Sequence, residues 1–160
     1  MILIKFETSI EGDSSVADHD KWITCDSLQF GVGRAISASG GGQDRESSNP
    51  SFSEISITKS MDKASIEIMM QASGGMSLGK CEIHFLQTGG KNVKGQVYLK
   101  IELGETMISG YSVSSGGDRP MENISLNFTT FEMEYQVFKD GKSIETIAKQ
   151  GWNLESNEST

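Results

Sequence analysis

The chain has 160 residues and a mass of 17.4 kDa, which suits one domain of roughly 100–200 residues needing no disulfide or metal staple. It carries 14 basic against 22 acidic residues, a net charge of −8, which excludes the basic footprint of a nucleic-acid binder and opposes insertion at an anionic membrane surface. No apolar run approaches the roughly 20 residues that cross a bilayer, and Lys5 interrupts the first apolar run before it reaches the about 7–15 residues of a secretory signal.

In chain order, Ile2, Ile4 and Phe6 alternate with Leu3, Lys5 and Glu7, the pattern of a half-buried strand. Residues 22–33 read as extended. Their apolar phase switches from Ile23 and Cys25 to Leu28, Phe30 and Val32, so a bulge or kink is expected near Asp26. Ser27, Gln29 and Gly31 then share the face opposite Leu28 and Phe30. Residues 37–51 are Ser- and Gly-rich and cannot build a core; a loop beyond about 12–15 residues is usually functional or disordered. Ile55 and Ile57 mark another short strand. Ser65 is predicted to cap a helix whose Ile66, Met69, Met70 and Ser73 recur at helical spacing and face the core, with Gly74-Gly75 ending it.

Strands resume at Cys81, Ile83 and Phe85, opposite Lys80, Glu82 and His84, with a turn predicted over residues 89–92. Val97, Leu99, Ile101 and Leu103 alternate strictly with polar residues, and Met107, Ser109, Tyr111 and Val113 continue around Gly110. Ile124, Leu126 and Phe128 hold even positions, while Phe131, Met133, Tyr135 and Val137 hold odd ones. The slip at Thr129-Thr130 suits a bulge at a barrel corner. Asp140-Gly141 is a hairpin turn leading to Ile144 and Ile147. Trp152 and Leu154 are the last apolar anchors, and the polar residues after them are expected to fray. The expected fold is mainly β: an antiparallel β-barrel of two sheets with one short flanking α-helix. It forms a single domain over residues 1–154, with a polar tail at 155–160.

Chemistry is sparse. Gly75-Met76-Ser77-Leu78-Gly79 matches G-x-S-x-G, yet a helix precedes it and a strand follows, the reverse of a nucleophile elbow, so a hydrolase built on Ser77 is a weak alternative. His19, His84, Cys25 and Cys81 lack the close ligand pairs of a zinc site. His19 reads as a hydrogen-bonded loop residue and His84 as a residue of the wetter strand face. Both cysteines are expected to be reduced, as in a cytosol. No carboxylate pair stands out, and Gly31-Val32-Gly33 lacks the third glycine of a dinucleotide fingerprint. The two sequons, at Asn123 and Asn127, fall inside a predicted strand. Met69 and Met70 are assigned to core packing. No catalytic residue, metal or cofactor is expected.

The linear order of motifs resembles the Hcp family, the haemolysin-coregulated tube proteins of bacterial type VI secretion systems. The resemblance rests on Ile10-Glu11-Gly12-Asp13-Ser14 through His19-Asp20-Lys21-Trp22-Ile23, on Phe30-Gly31-Val32-Gly33 with the loop after it, and on Thr58-Lys59-Ser60-Met61-Asp62-Lys63-Ala64-Ser65. It continues through Gly116-Gly117-Asp118-Arg119-Pro120 to Tyr135, Asp140-Gly141 and Gly151-Trp152-Asn153-Leu154. It implies a non-enzymatic subunit of a homohexameric ring. Stacked rings form a tube that carries a spike, sits inside a contractile sheath, holds small effector proteins in its lumen and leaves the cytoplasm without a signal peptide. A phage-tail-like tube of another injection particle is the nearest alternative, and a monomeric β-barrel binding a small ligand a more distant one. Ser27 and Gln29 are the expected lumen-facing residues. Gly40, Gly41, Gly42, Gln43, Asp44, Arg45 and Glu46 are the expected subunit or ring-stacking contacts.

Overall fold

A computed structural model describes residues 1–36, 48–87, 95–139 and 143–160. The first strands are β1 (Ile2–Phe6), β2 (Ser15–Val16), β3 (His19–Asp20), β4 (Ile23–Cys25), β5 (Ser27–Gln29), β6 (Val32–Gly33), β7 (Ser51–Phe52) and β8 (Ile55–Ser60). Helix α1 (Ser65–Gly74) follows. Then come β9 (Cys81–Gln87), β10 (Gln96–Gly104), β11 (Met107–Ser114), β12 (Met121–Asn127), β13 (Thr130–Lys139), β14 (Ser143–Asn153) and β15 (Glu158–Ser159). A wide sheet has the order β15-β14-β13-β10-β9-β1-β4, and a narrow one β11-β12-β8-β5; β2-β3 and β6-β7 are two-stranded ribbons. All the pairings are antiparallel. The fold is thus mainly β with one helix among the described residues.

Two phase switches in the sequence mark two of the four points where the chain passes from one sheet to the other, the other two being β8 through α1 to β9 and β10 to β11. Asp26 separates β4, in the wide sheet, from β5, in the narrow one, and its N–H donates to the Thr58 carbonyl at 2.8 Å. The slip at Thr129-Thr130 lies between β12 and β13, where the chain crosses back. Between the sheets, Phe6, Cys81, Leu103 and Phe131 form one rung of the wide sheet and Ile4, Ile83, Ile101 and Met133 the next. Leu28, Ile57, Ile124 and Tyr111 align across the narrow sheet, with Ile55, Leu126 and Ile108 beside them. Each fully buried side chain of this kind contributes about 1.5–3 kcal/mol. A second cluster, Leu3, Trp22 and Leu86 with Val16 and Val97, covers part of the wide sheet's other face.

Five expectations need correction. The helix turns the opposite face inward: Ile68 is buried with Ala64 and Ser65, and Ala72 packs beside them, whereas Ile66, Met69, Met70 and Ser73 are exposed or partly exposed. Met69 and Met70 are therefore not core residues. Apolar residues lie on both sides of this helix, so periodicity alone leaves its rotation open; Ser65, drawn inward by a buried polar network, sets it. Ser65 is also not the cap. It lies within the first turn, and the Asp62 carboxylate accepts the Ala64 N–H at 3.0 Å. The C-terminus is as expected, with Gly75 left-handed at φ 63° and its N–H donating to Gln71 O.

Val97 leaves the core phase because a register shift between Val97 and Leu99 turns it toward Leu86 and Leu3. In β11 a similar shift between Ile108 and Gly110 makes Ile108 the buried residue in place of Met107 and Ser109, and restores the expected phase at Tyr111. The final residues do not splay away: β15 pairs with Trp152 and Asn153, and the Asn153 side chain caps the turn by accepting the Glu155 and Ser156 N–H groups at 2.8 and 3.0 Å. The turn expected at 89–92, like Asp140-Gly141, lies outside the described residues.

Candidate functional site

Strand alternation that buries one face of the narrow sheet presents the other to solvent. On that outward face the register aligns Ser27, Thr58, Asn123 and Ser112 in one row and Gln29, Ser56, Ser125 and Gly110 in the next. Every side chain in these rows is a hydroxyl, an amide or glycine; none is charged. Thr58 Oγ1 donates to Asn123 Oδ1 at 2.9 Å, tying two strands across the surface. Ser27 and Gln29 are exposed, as expected of residues opposite Leu28. Sequence reading identified these two and missed the other members of their rows. The signal was present, since Ser56 and Thr58 alternate with Ile55 and Ile57, and Asn123 and Ser125 with Ile124 and Leu126.

The wide sheet's outward face is built from charges. Glu82, Glu102 and Glu132 form one row, and His84, Lys100, Glu134 and Lys149 the next. Lys80 bonds Glu102 at 2.7 Å and Glu82 at 3.2 Å, and Lys149 bonds Glu132 at 2.9 Å. Hydrogen bonding to Glu102 raises the Lys80 ammonium pKa, and hydrogen bonding to Glu132 raises that of Lys149. Exposed pairs of this kind add little to stability, so these residues matter as a charge pattern rather than as a brace.

At one end of this face the two histidines meet. His19, buried on the β2-β3 ribbon, shares a hydrogen between its Nε2 and His84 Nδ1 at 2.8 Å. Trp22 packs against both rings, at centroid distances of 4.6 and 4.7 Å. Burial, with the adjacent His19 second, depresses His84 from the ordinary 6.5 to about 4. The cysteines lie elsewhere, in the main core, where burial raises Cys25 to about 12 and Cys81 well above its ordinary value. Among the described residues, no group of three or more His, Cys, Asp and Glu side chains is placed to hold a metal.

Between the sheets lies the feature that sequence reading overlooked. Lys59 Nζ, fully buried, donates to Glu122 Oε2 at 2.6 Å, Asp62 Oδ1 at 2.8 Å and Ser65 Oγ at 3.2 Å. Ser65 Oγ donates to Glu122 Oε2 at 2.9 Å, and the Tyr111 hydroxyl donates to the other Glu122 oxygen. Burial opposes the Glu122 charge, but hydrogen bonds from Lys59, Tyr111 and Ser65 outweigh it and hold the carboxyl below its ordinary value. This network pins the start of α1 to β8, β11 and β12. Its signal was phase: Lys59 follows Ile55 and Ile57 inward, and Glu122 precedes Ile124 and Leu126 inward. The Lys59–Glu122 pairing is the in-register match of those two strands.

Ser77 lies on the loop between α1 and β9, as the reversed order of elements predicts; its hydroxyl donates to Glu105 Oε2 at 3.0 Å and accepts the Gly79 N–H. Gly40, Gly41, Gly42, Gln43, Asp44, Arg45 and Glu46 lie outside the described residues. No helix among the described residues is long and apolar enough to cross a membrane.

The molecule is thus an antiparallel two-sheet protein with a neutral polar outer face on one sheet and a charged one on the other. Comparison with known proteins gives this class a family. The profile of the family described as "Type VI secretion system effector, Hcp" matches residues 3–135. Protein hcp1 of Pseudomonas aeruginosa is 37% identical over 108 residues, covering 65% of this chain and 65% of that protein, just under two thirds of its length. A solved type six secretion system protein superimposes with a TM-score of 0.89 at 26% identity, over 99% of this chain and 98% of its own. Hcp1 from Salmonella typhimurium shares the fold, with a TM-score of 0.76 at 19% identity over 99% and 97% of the two chains. The chain belongs to the Hcp family of type VI secretion system proteins.

Proposed function

We propose that this chain is the structural, non-enzymatic subunit of a type VI secretion tube. Six copies close a ring, with each subunit's two sheets closing a barrel. Rings stack inside a contractile sheath beneath a spike, and the assembled tube leaves the cytoplasm when the sheath contracts. The outward face of the narrow sheet supports this reading most directly. A hydrated channel through which small effector proteins travel needs a wettable wall without strong charge, and the rows containing Ser27 and Gln29 have that chemistry. The charged face of the wide sheet then looks toward the sheath.

A cyclic head-to-tail ring needs two different contact edges on each subunit. β11 and β5 are the two edges of the narrow sheet. Pairing β11 of one copy with β5 of the next joins six narrow sheets around the lumen and leaves neither narrow-sheet edge open, which removes the aggregation hazard of those exposed strands. The segment holding Gly40–Glu46 is assigned to contacts between subunits or stacked rings.

Light scattering after size exclusion, across a dilution series and with negative-stain images of the peak, tests the ring. A hexamer with a central hole is expected, and a monomer at every concentration refutes the reading. Gln29→Arg should leave the ring intact and change retention of co-expressed effector; unchanged retention of every effector would remove Gln29 from the lumen wall. Deletion of residues 40–49 should give monomers or rings that fail to stack.

A further inference from the structure

The face that α1 turns away from the core carries apolar side chains: Ile66 and Met70 are 64% and 56% exposed and Met69 partly so, and Met76, just past the helix, is 67% exposed. The helix packs beside β11, at one edge of the narrow sheet. A second apolar feature lies at the opposite edge. β5 runs directly into the β6-β7 ribbon, where Val32 is 60% exposed and Ile36, just past β6, 63%. A Cβ added to Gly31 or Gly33 meets no atom within 4 Å, so the ribbon is open on that side, while Phe52 of β7 packs inward against Phe131.

From these positions we infer that the exposed face of α1 is the seat for the β6-β7 ribbon of the neighbouring copy of this chain. The inference rests on the ring reading above. Where β11 of one copy meets β5 of the next, the helix on the first edge and the ribbon on the second lie along the same seam. Each face is unlike the other, as a head-to-tail contact requires and a two-fold contact does not. Methionine side chains are flexible and polarisable, so they mould around an inserted Val and Ile. The rims are of opposite sign, with Glu67 on the helix and Arg34 in the ribbon. Cargo is a poorer occupant, because this face lies off the neutral rows assigned to the lumen.

The test is thiol cross-linking in the full chain. Val32→Cys and Met70→Cys are made singly and together, and each protein is treated with a short bis-maleimide. Cys25 and Cys81 are buried with raised pKa values, so they stay silent. The double variant should give a covalent ladder on a denaturing gel that closes at six copies, and neither single variant should. In parallel, Met69→Glu with Met70→Glu should raise the concentration at which rings dissociate by about tenfold or more, as loss of a central apolar contact does. That variant should keep the melting profile of the dissociated subunit. If the wild type forms rings but the double variant gives no ladder, or the Glu variant's rings dissociate as the wild type's do, the helix–ribbon contact is overturned and the ring reading stands. A wild type that never forms rings overturns both.

Discussion

Lys59 offers the sharpest perturbation. Its ammonium is fully buried and bonded to Glu122, Asp62 and Ser65 at 2.6, 2.8 and 3.2 Å. Lys59→Met keeps most of the apolar stem and removes the charge, leaving the Glu122 carboxylate buried with only the Ser65 and Tyr111 hydroxyls. Removing one partner of a buried ion pair costs about 3–5 kcal/mol, a large share of the roughly 5–15 kcal/mol that holds a domain together. At roughly 2–4 °C per kcal/mol for a chain of this size, the melting temperature should fall by about 6–20 °C. Circular dichroism melts and urea titrations at one fixed protein concentration measure this without a contribution from changing assembly. Lys59→Met with Glu122→Leu removes both charges and should be more stable than Lys59→Met alone, because no orphaned carboxylate remains. A loss below about 1 kcal/mol for Lys59→Met, the worth of an exposed pair, would refute the claim that this network fixes α1. The pH dependence has a definite sign. Glu122 titrates below its unfolded value in the fold, so its contribution is complete above the ordinary carboxylate range near 4.3 and is lost as pH falls through the depressed folded value. Glu122→Gln should remove that part of the acid sensitivity.

Three further outcomes follow from other parts of the molecule. A Cβ on Gly12 would lie 2.3 Å from the Trp22 carbonyl oxygen and 2.4 Å from Ile23 Cα, so Gly12→Ala should cost about 1–3 kcal/mol or more in the same urea titration, while Gly33→Ala, with open space around it, should be near neutral. His84 drops from 6.5 to about 4 on folding, with Glu82 and Glu134 opposing that drop and His19 and Lys100 reinforcing it. The unfolded chain therefore binds the extra proton in this window, and stability should decline between pH 6.5 and about 4; His84→Gln should flatten the decline, and an equal slope in both proteins would count against the pair. Each subunit carries −8, and screening reaches only about 8 Å at physiological ionic strength, so sedimentation should show rings stacking more strongly as salt rises; salt-independent stacking would contradict this.

Much of this architecture was legible because strand burial repeats every two residues. Ile2, Ile4 and Phe6, or Ile124 and Leu126, declare their inward face at once. Breaks in phase at Asp26 and at Thr129-Thr130 located two of the four passages between the sheets. The errors arose where local pattern is degenerate. In α1, Ile66, Met69 and Met70 offer a more apolar arc than Ala64, Ser65 and Ile68, yet the poorer arc is buried because Ser65 bonds a carboxylate on a strand far away in sequence. Val97 and Ile108 were misplaced by bulges, which insert a single residue and leave no mark in composition. The pairing of His19 with His84 joins residues 65 positions apart, a contact that only the sheet order creates.

The same alternation that builds the core separates the two outer surfaces, and this is the strongest link from sequence to function. A chain with 22 acidic and 14 basic residues scattering charge at random would place about two on the eight positions of the narrow sheet's outward rows. Instead the two charges of β8 and β12, Lys59 and Glu122, occupy inward positions and neutralise each other there, while Glu82, Lys100, Glu102, Glu132, Glu134 and Lys149 crowd the other sheet. Stability alone does not require this, since exposed charge on a strand is close to neutral in cost. A lumen wall does: fixed charge there would hold oppositely charged cargo and repel like-charged cargo, whereas hydroxyls and amides exchange bonds with water at little net cost. Placing Asp at Ser56 alone, so that no new carboxylate faces another across the Ser56–Ser125 register, therefore separates the two explanations. The folded ring should survive with its melting temperature nearly unchanged, while retention of acidic effectors falls and that of basic ones rises. Equal retention of both would mean that the neutral rows face something other than cargo.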